Sequence, residues 1–182
     1  MPLLNSIASP YADALLQVSD LRQEADLVAD QAKQVLQLWK DSPELRDAMT
    51  SPVIEPELKK AALVTLFNDQ VTPAFLNLMQ LMADRQRIAL LDAVLARFLD
   101  LYREQRGIAL ANVTSATPLT EAQQASLRTK VKAVAGTESV EFDLSVDPAL
   151  IGGFVVSLGS QVIDASLAGQ VRRLGLALAK AG

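Results

Sequence analysis

Catalysis needs side chains that move protons, attack carbon or hold metals, and this chain lacks the two most versatile ones. It has no histidine and no cysteine. Imidazole acid–base chemistry, thiolate nucleophiles, disulfides and Cys/His zinc sites are therefore excluded. Ser157, Ser160 and Ser166 have no imidazole to activate them, and nothing resembles a nucleophile elbow. Two carboxylate clusters remain: Asp13, Asp20, Glu24 and Asp26, and Asp41, Glu44 and Asp47. Either could be imagined as metal ligands or an acid–base set. Both fall on the polar faces of amphipathic helices, where a solvated carboxylate is the ordinary state. The reading is of no catalytic residue, no metal and no cofactor.

One stretch keeps a ligand site open. Residues 147–156 read DPALIGGFVV. A glycine pair can cradle phosphate, but a phosphate loop needs a Gly-Lys-Ser/Thr ending between a strand and a helix. Gly152-Gly153 lacks the lysine and runs into Phe154-Val155-Val156, a strand. A dinucleotide fingerprint fails for the same reason. The structural reading is that Asp147-Pro148 makes a turn and the glycines let the chain swing into a sheet with no Cβ in the way.

The bulk numbers narrow the partners. Half of the 182 residues are apolar, 21 % are charged and the net charge is −4. The mean hydropathy is +0.21 and the pI about 4.9. This is a folding chain, slightly greasy for a free monomer, which hints at apolar surface covered by partners. No basic block supports binding to nucleic acid or to an anionic membrane surface. No apolar run approaches the ~20 residues of a spanning helix, so no membrane insertion is expected. The opening MPLLNSIASPYADALL has no basic n-region or transit character and is read as an untargeted N-terminus that stays in the cytosol.

The elements fall into two styles. Residues 1–106 hold six of the eight prolines and no glycine; residues 107–182 hold all eight glycines. That shift at Arg106–Gly107 is the expected domain boundary. The first half reads as six helices. The first opens at Ser9-Pro10, or near Asn5 or Ser6 with Pro10 in its first turn. The second runs from Leu21 to Trp39 with Asp20 as N-cap. The third is capped by Ser42 with Pro43 at the first helical position. The fourth opens around Pro56 and is carried by Leu58, Ala62, Leu63, Leu66 and Phe67. The fifth opens at Thr72-Pro73, and the sixth covers about Arg87–Arg106. In the fifth, Phe75, Leu76, Leu78, Met79, Leu81 and Met82 cover more than one stripe. That fits either central burial or a second face that receives a partner helix.

The second half changes period. GIALANVTSA is a β-capable run, and Thr120 with Gln123 forms a capping box for a helix. In VEFDLSV, Val140, Phe142, Leu144 and Val146 are expected inward and Glu141, Asp143 and Ser145 outward. FVVSLGSQVID reads as a hairpin on a II′-type turn at Gly159-Ser160. A last helix carries Leu167, Val171, Leu174 and Leu178. The fold class is α+β: a six-helix bundle over 1–106, then a small α/β domain over 107–182.

These motifs resemble a family. YADALL (Tyr11–Leu16) is similar to the opening of the δ subunit of bacterial and chloroplast F-type ATP synthases, whose mitochondrial counterpart is the oligomycin-sensitivity-conferring protein. Asp147-Pro148, Leu150-Ile151-Gly152-Gly153-Phe154 and Asp164-x-Ser166 resemble its C-terminal signature. RGIALANVTSATPLTEAQ matches the entry to its second domain. Asp84-Arg85-Gln86-Arg87 departs from relatives that carry Asn or Gly beside Arg, which blurs the boundary between the fifth and sixth helices. The resemblance implies a stator subunit and no catalyst. Its bundle would hold N-terminal segments of α subunits, and its second domain the peripheral-stalk b-type subunits. It implies one copy per complex, no homo-oligomer, and a peripheral position on the cytoplasmic or stromal face of a plasma or thylakoid membrane. It further implies a groove between the first and fifth helices. Tyr11, Ala14, Leu15 and Val18 would line one side, and Phe75, Leu78, Met79 and Met82 the other. The alternatives are a free-standing helical adaptor and an anion-binding protein using Gly152-Gly153.

Overall fold

The computed structural model describes residues 2–137, 139–159 and 161–173, with side chains from Ser6 onward. Its packing divides the chain into Met1–Tyr102 and Arg103–Gly182, a division inside the last turns of the sixth helix.

In the first unit, α1 spans Pro2–Leu21 and carries Pro10 in its interior. Neither expected start holds: the helix extends well before Pro10 and forgoes one i→i−4 bond there. The expected second start is also corrected. Leu21 ends α1 and is 86 % exposed. The chain turns through Gln23, at φ +58°, and α2 runs Ala25–Asp41 with Glu24, not Asp20, at the N-cap. No glycine or proline announces that left-handed residue. Val28, Ala32, Val35 and Trp39 form its buried stripe.

The proline starts hold better. α3 is Pro43–Thr50, α4 Pro56–Phe67 and α5 Pro73–Asp84, each with proline in its first turn. In α4 the buried face is Lys59, Leu63 and Phe67, while Leu58 and Leu66 are exposed. The aliphatic stem of Lys59 serves that face, and its Nζ donates to the Ser51 carbonyl at 2.7 Å. After α5, Gln86 takes φ +54°, a 3-10 turn covers Ile88–Leu90, and α6 runs Leu91–Arg106. Leu63, Phe75, Met79, Met82, Leu95 and Phe98 form the fully buried centre.

In the second unit, β1 (Ile108–Ser115), α7 (Glu121–Ala135) and β2 (Ser139–Val146) make a parallel crossover. β3 (Phe154–Leu158) pairs antiparallel with β1, and β4 (Gln161–Asp164) with β3, giving the order β2-β1-β3-β4. A helix over 167–173, here α8, follows. The capping box is present: Gln123 N donates to Thr120 Oγ1 at 3.3 Å, and Thr120 N donates to Gln123 Oε1 at 2.9 Å. Ala111, Val113, Leu127, Val131, Val140 and Val156 form the core.

The alternation expected of β2 holds for half of it. Val140 is buried and Phe142 half-buried, but Leu144 and Val146 are exposed. β2 is an edge strand, and the unit's apolar cluster ends at Phe142. The hairpin joins Leu158 to Gln161 as expected. Its turn type depends on residue 160, and Leu174 and Leu178 belong to the last helix; all three positions lie outside the described residues.

A candidate partner groove and the Gly-Gly junction

An apolar groove of about 250 Å3 lies between α1 and α5. α1 contributes Ala14, Leu15, Val18 and Arg22; α5 contributes Ala74, Asn77, Leu78 and Leu81. The spacing on α5, i, i+3, i+4 and i+7, is one helical face. The helices run antiparallel: Arg87, just past α5, donates from Nη1 to Tyr11 Oη at 3.0 Å, while Val18 and Arg22 share the groove with Ala74. The walls stay open for a simple reason. Leu15 is buried against the core, whereas Val18 and Leu81 keep 38 % and 45 % of their surface exposed.

Four of the eight expected lining residues are there: Ala14, Leu15, Val18 and Leu78. The other four are corrected. Phe75, Met79 and Met82 are fully buried in the bundle core. Tyr11 packs against that core and meets Arg87 through its hydroxyl. The greasy fifth helix is thus divided between two stripes, one buried in the core and one lining the groove. Positions 75, 79 and 82 face inward; 74, 78 and 81 face the groove. Ala74, Asn77, Leu81 and Arg22 were missed. Ala74, Asn77 and Leu81 could have been found by asking which face remains once 75-79-82 is assigned to the core.

The C-terminal motif residues meet at one junction. Asp147 Oδ1 accepts from Ala149 N at 2.9 Å, and Asp147 N donates to the Ser115 carbonyl at 2.9 Å. This starts a 3-10 turn over Pro148–Leu150. Gly153 then takes φ +83°, and a Cβ there would strike the Ala165 carbonyl oxygen and come within 2.8 Å of Ser166 Cα. A Cβ on Gly152 would lie 2.6 Å from Leu167 Cδ1. Backbone bonds close the junction: Ala116 N to Gly153 O at 3.1 Å, Ala165 N to Phe154 O at 3.0 Å, and Leu167 N to Gly152 O at 2.9 Å. The space beside the glycines is filled by chain, which argues against a phosphate cradle and for close approach.

Asp164 and Ser166 launch α8 from the same place. Ser166 donates from N and Oγ to Asp164 Oδ1, at 2.9 and 2.6 Å, and its Oγ accepts from Gly169 N at 3.0 Å. Ser166 is thus an N-cap whose own hydroxyl proton is held by a carboxylate. Those bonds, the hydroxyl's first, hold the Asp164 carboxyl below the usual carboxylate range. Phe154 packs against the unit's core from the far end of the junction.

Among the described residues no group of three or more carboxylates could hold a metal. No helix there is long and apolar enough to cross a membrane. An open apolar groove on a helical bundle, and a separately cored mixed sheet, define a connector that works through its surfaces. The chain belongs to the ATP synthase delta (OSCP) subunit family, whose model matches residues 7–178. It is 68 % identical over 181 residues to "ATP synthase subunit delta" of Synechococcus sp. (strain CC9311), covering 100 % of both chains. It is 66 % identical over 182 residues to "ATP synthase subunit delta, organellar chromatophore" of Paulinella chromatophora, again covering 100 % of both. A chain in the cryo-EM structure of the Toxoplasma gondii mitochondrial ATP synthase hexamer shares the fold, with a TM-score of 0.73 at 22 % identity, covering 94 % of this chain and 96 % of that one. The family is a structural subunit, not the catalytic one.

Proposed function

We propose that this chain is the non-catalytic stator subunit of an F-type ATP synthase, and that each unit grips a different partner. The helical unit holds an N-terminal helix of a head α subunit in the α1–α5 groove. The sheet unit holds the end of the peripheral stalk's b-type subunits, with the Gly152-Gly153 junction keeping that unit in shape. One copy per complex sits peripherally on the cytoplasmic or stromal side of a plasma or thylakoid membrane. The head is thereby kept from turning with the rotor, so that proton-driven rotation is coupled to ATP synthesis.

The observation that carries this reading is the groove. Its apolar walls lie on two helices whose inner stripes are already satisfied by the core. An amphipathic helix is the occupant such a groove fits. The test is calorimetric titration of the protein with a peptide of about 20 residues from the N-terminus of the co-encoded α subunit. Saturable binding that Ala14→Asp abolishes, with unchanged circular dichroism, supports the assignment. Binding indifferent to Ala14→Asp removes the groove from it.

A further inference from the structure

We infer that Arg22 selects the groove's occupant by charge: the helix that docks between α1 and α5 carries a carboxylate at the end of its apolar stripe that meets Arg22. This rests on the groove reading above and adds to it the chemistry and register of the partner. The groove is not uniformly apolar. Ala14, Leu15 and Val18 on α1 give way to Arg22 at one end, opposite Ala74 on α5. Among the described residues no carboxylate pairs with Arg22. Its side chain is exposed, and only its backbone N–H is engaged, to the Val18 carbonyl at 3.2 Å. Of the other basic groups near α5, Lys60 Nζ lies 2.7 Å from Asp84 Oδ1, Arg87 is bonded to Tyr11, and Arg85, at the end of α5, is not among the groove's lining residues. Arg22 is therefore the one cation among the groove's lining residues, and it stands at one end.

The length of the exposed stripe sets the size of the occupant. Ile7, Ala14, Val18 and Leu21 share one face of α1 by their spacing, and Ile7 is 42 % exposed. From Ile7 to Leu21 the stripe runs about 21 Å at 1.5 Å per residue. A helix of about four turns covers it. A neutral helix would leave Arg22 without a partner at the rim, and a basic one there would be repelled. A carboxylate in that position gains a charge-assisted contact and fixes which way the helix lies.

The experiment uses the full chain and the α-subunit N-terminal peptide, with each acidic residue of the peptide replaced by lysine in turn. Wild-type protein should bind the native peptide, and Arg22→Glu should weaken binding about five-fold at low salt, with most of that loss gone in roughly 0.5 M salt. One lysine-substituted peptide should bind Arg22→Glu better than it binds wild type, which identifies the partner carboxylate. If the native peptide binds wild type and Arg22→Glu equally at low salt, the charge selection is wrong and the groove assignment stands. If the native peptide fails to bind wild type, the groove assignment itself falls and the selection with it.

Discussion

Consider Gly153→Ala. Two costs arise from one methyl group. An L-residue at φ +83° sits in the left-handed region at a cost of about 1 kcal/mol or a little more. The methyl also meets backbone, the Ala165 carbonyl and Ser166 Cα, which cannot rotate aside as a side chain would. Relief requires β3 and the start of α8 to separate. That strains the bonds from Ala165 N to Phe154 O and from Leu167 N to Gly152 O, at about 1 kcal/mol each. The sum is about 3 kcal/mol, a large part of the roughly 4–12 kcal/mol expected of a unit this size. Gly159→Ala is the control, because Gly159 has φ +57° and nothing within 4 Å of its Cβ position. It should cost about 1 kcal/mol, from conformation alone. Denaturant melts followed by limited proteolysis read both variants. Gly153→Ala should lower the midpoint of the second unit far more than Gly159→Ala, and leave the helical unit's transition unmoved, since their apolar clusters are separate. Equal costs would refute the close-approach argument. A lost phosphate-binding signal with undiminished stability would restore the cradle.

Further outcomes follow from the same geometry. Ala14→Asp should weaken α-subunit peptide binding by about 2–5 kcal/mol with helicity intact, whereas Met79→Asp should unfold the bundle, because Met79 is core; circular dichroism and calorimetry separate the two. The Asp164 carboxyl is held below its ordinary value by Ser166, so its contribution to stability is present above the unfolded pKa near 4 and lost as pH falls through the lowered folded value. Acid melts of the second unit should therefore show the gap between wild type and Asp164→Asn closing below about pH 4; a gap constant with pH refutes it. A fragment of residues 1–106 should melt cooperatively with strongly helical circular dichroism, and a gradual melt would refute its independence. The whole protein should bind no ATP in calorimetry, and micromolar saturable binding would overturn the non-catalytic reading at Gly152-Gly153.

What the sequence made legible follows a physical division. Proline placed the starts of α3, α4 and α5 because it acts locally through a fixed φ and a missing donor. The capping box at Thr120 and Gln123 was legible for the same reason: both partners lie within one turn. The break after Leu21 was not, because Gln23 reaches φ +58° with no residue type that prefers it. The exposed ends of β2 were hidden too, since alternation gives the face of a strand but not how far the opposing layer extends. In α4, Leu58 and Leu66 look like core, yet the chain buries Lys59 by its stem.

The groove shows where such reading stops. On α5, every residue from Phe75 to Met82 except Asn77 and Gln80 is apolar, so composition cannot separate the inner stripe from the outer one. Only packing does so: 75, 76, 79 and 82 are taken by the core, 78 is shared between core and groove, and 81 faces out. That remainder is where a connector's specificity resides. The inner stripe answers to the bundle and tolerates only volume-conserving change. The outer stripe contributes less to the isolated fold, through Leu78, and in the proposed docking answers to its occupant. In the proposed role, such a grip under load would be governed by its dissociation rate, and tethering each unit to a different part of one assembly would raise effective concentration without adding contact area. A groove two turns long between Ala14 and Arg22 therefore suffices for holding, provided the occupant sits in one register. Arg22, the one cation in the groove's lining, is the least that would fix that register. In the proposed docking, the apolar walls supply affinity in any orientation and Arg22 makes one of them preferred.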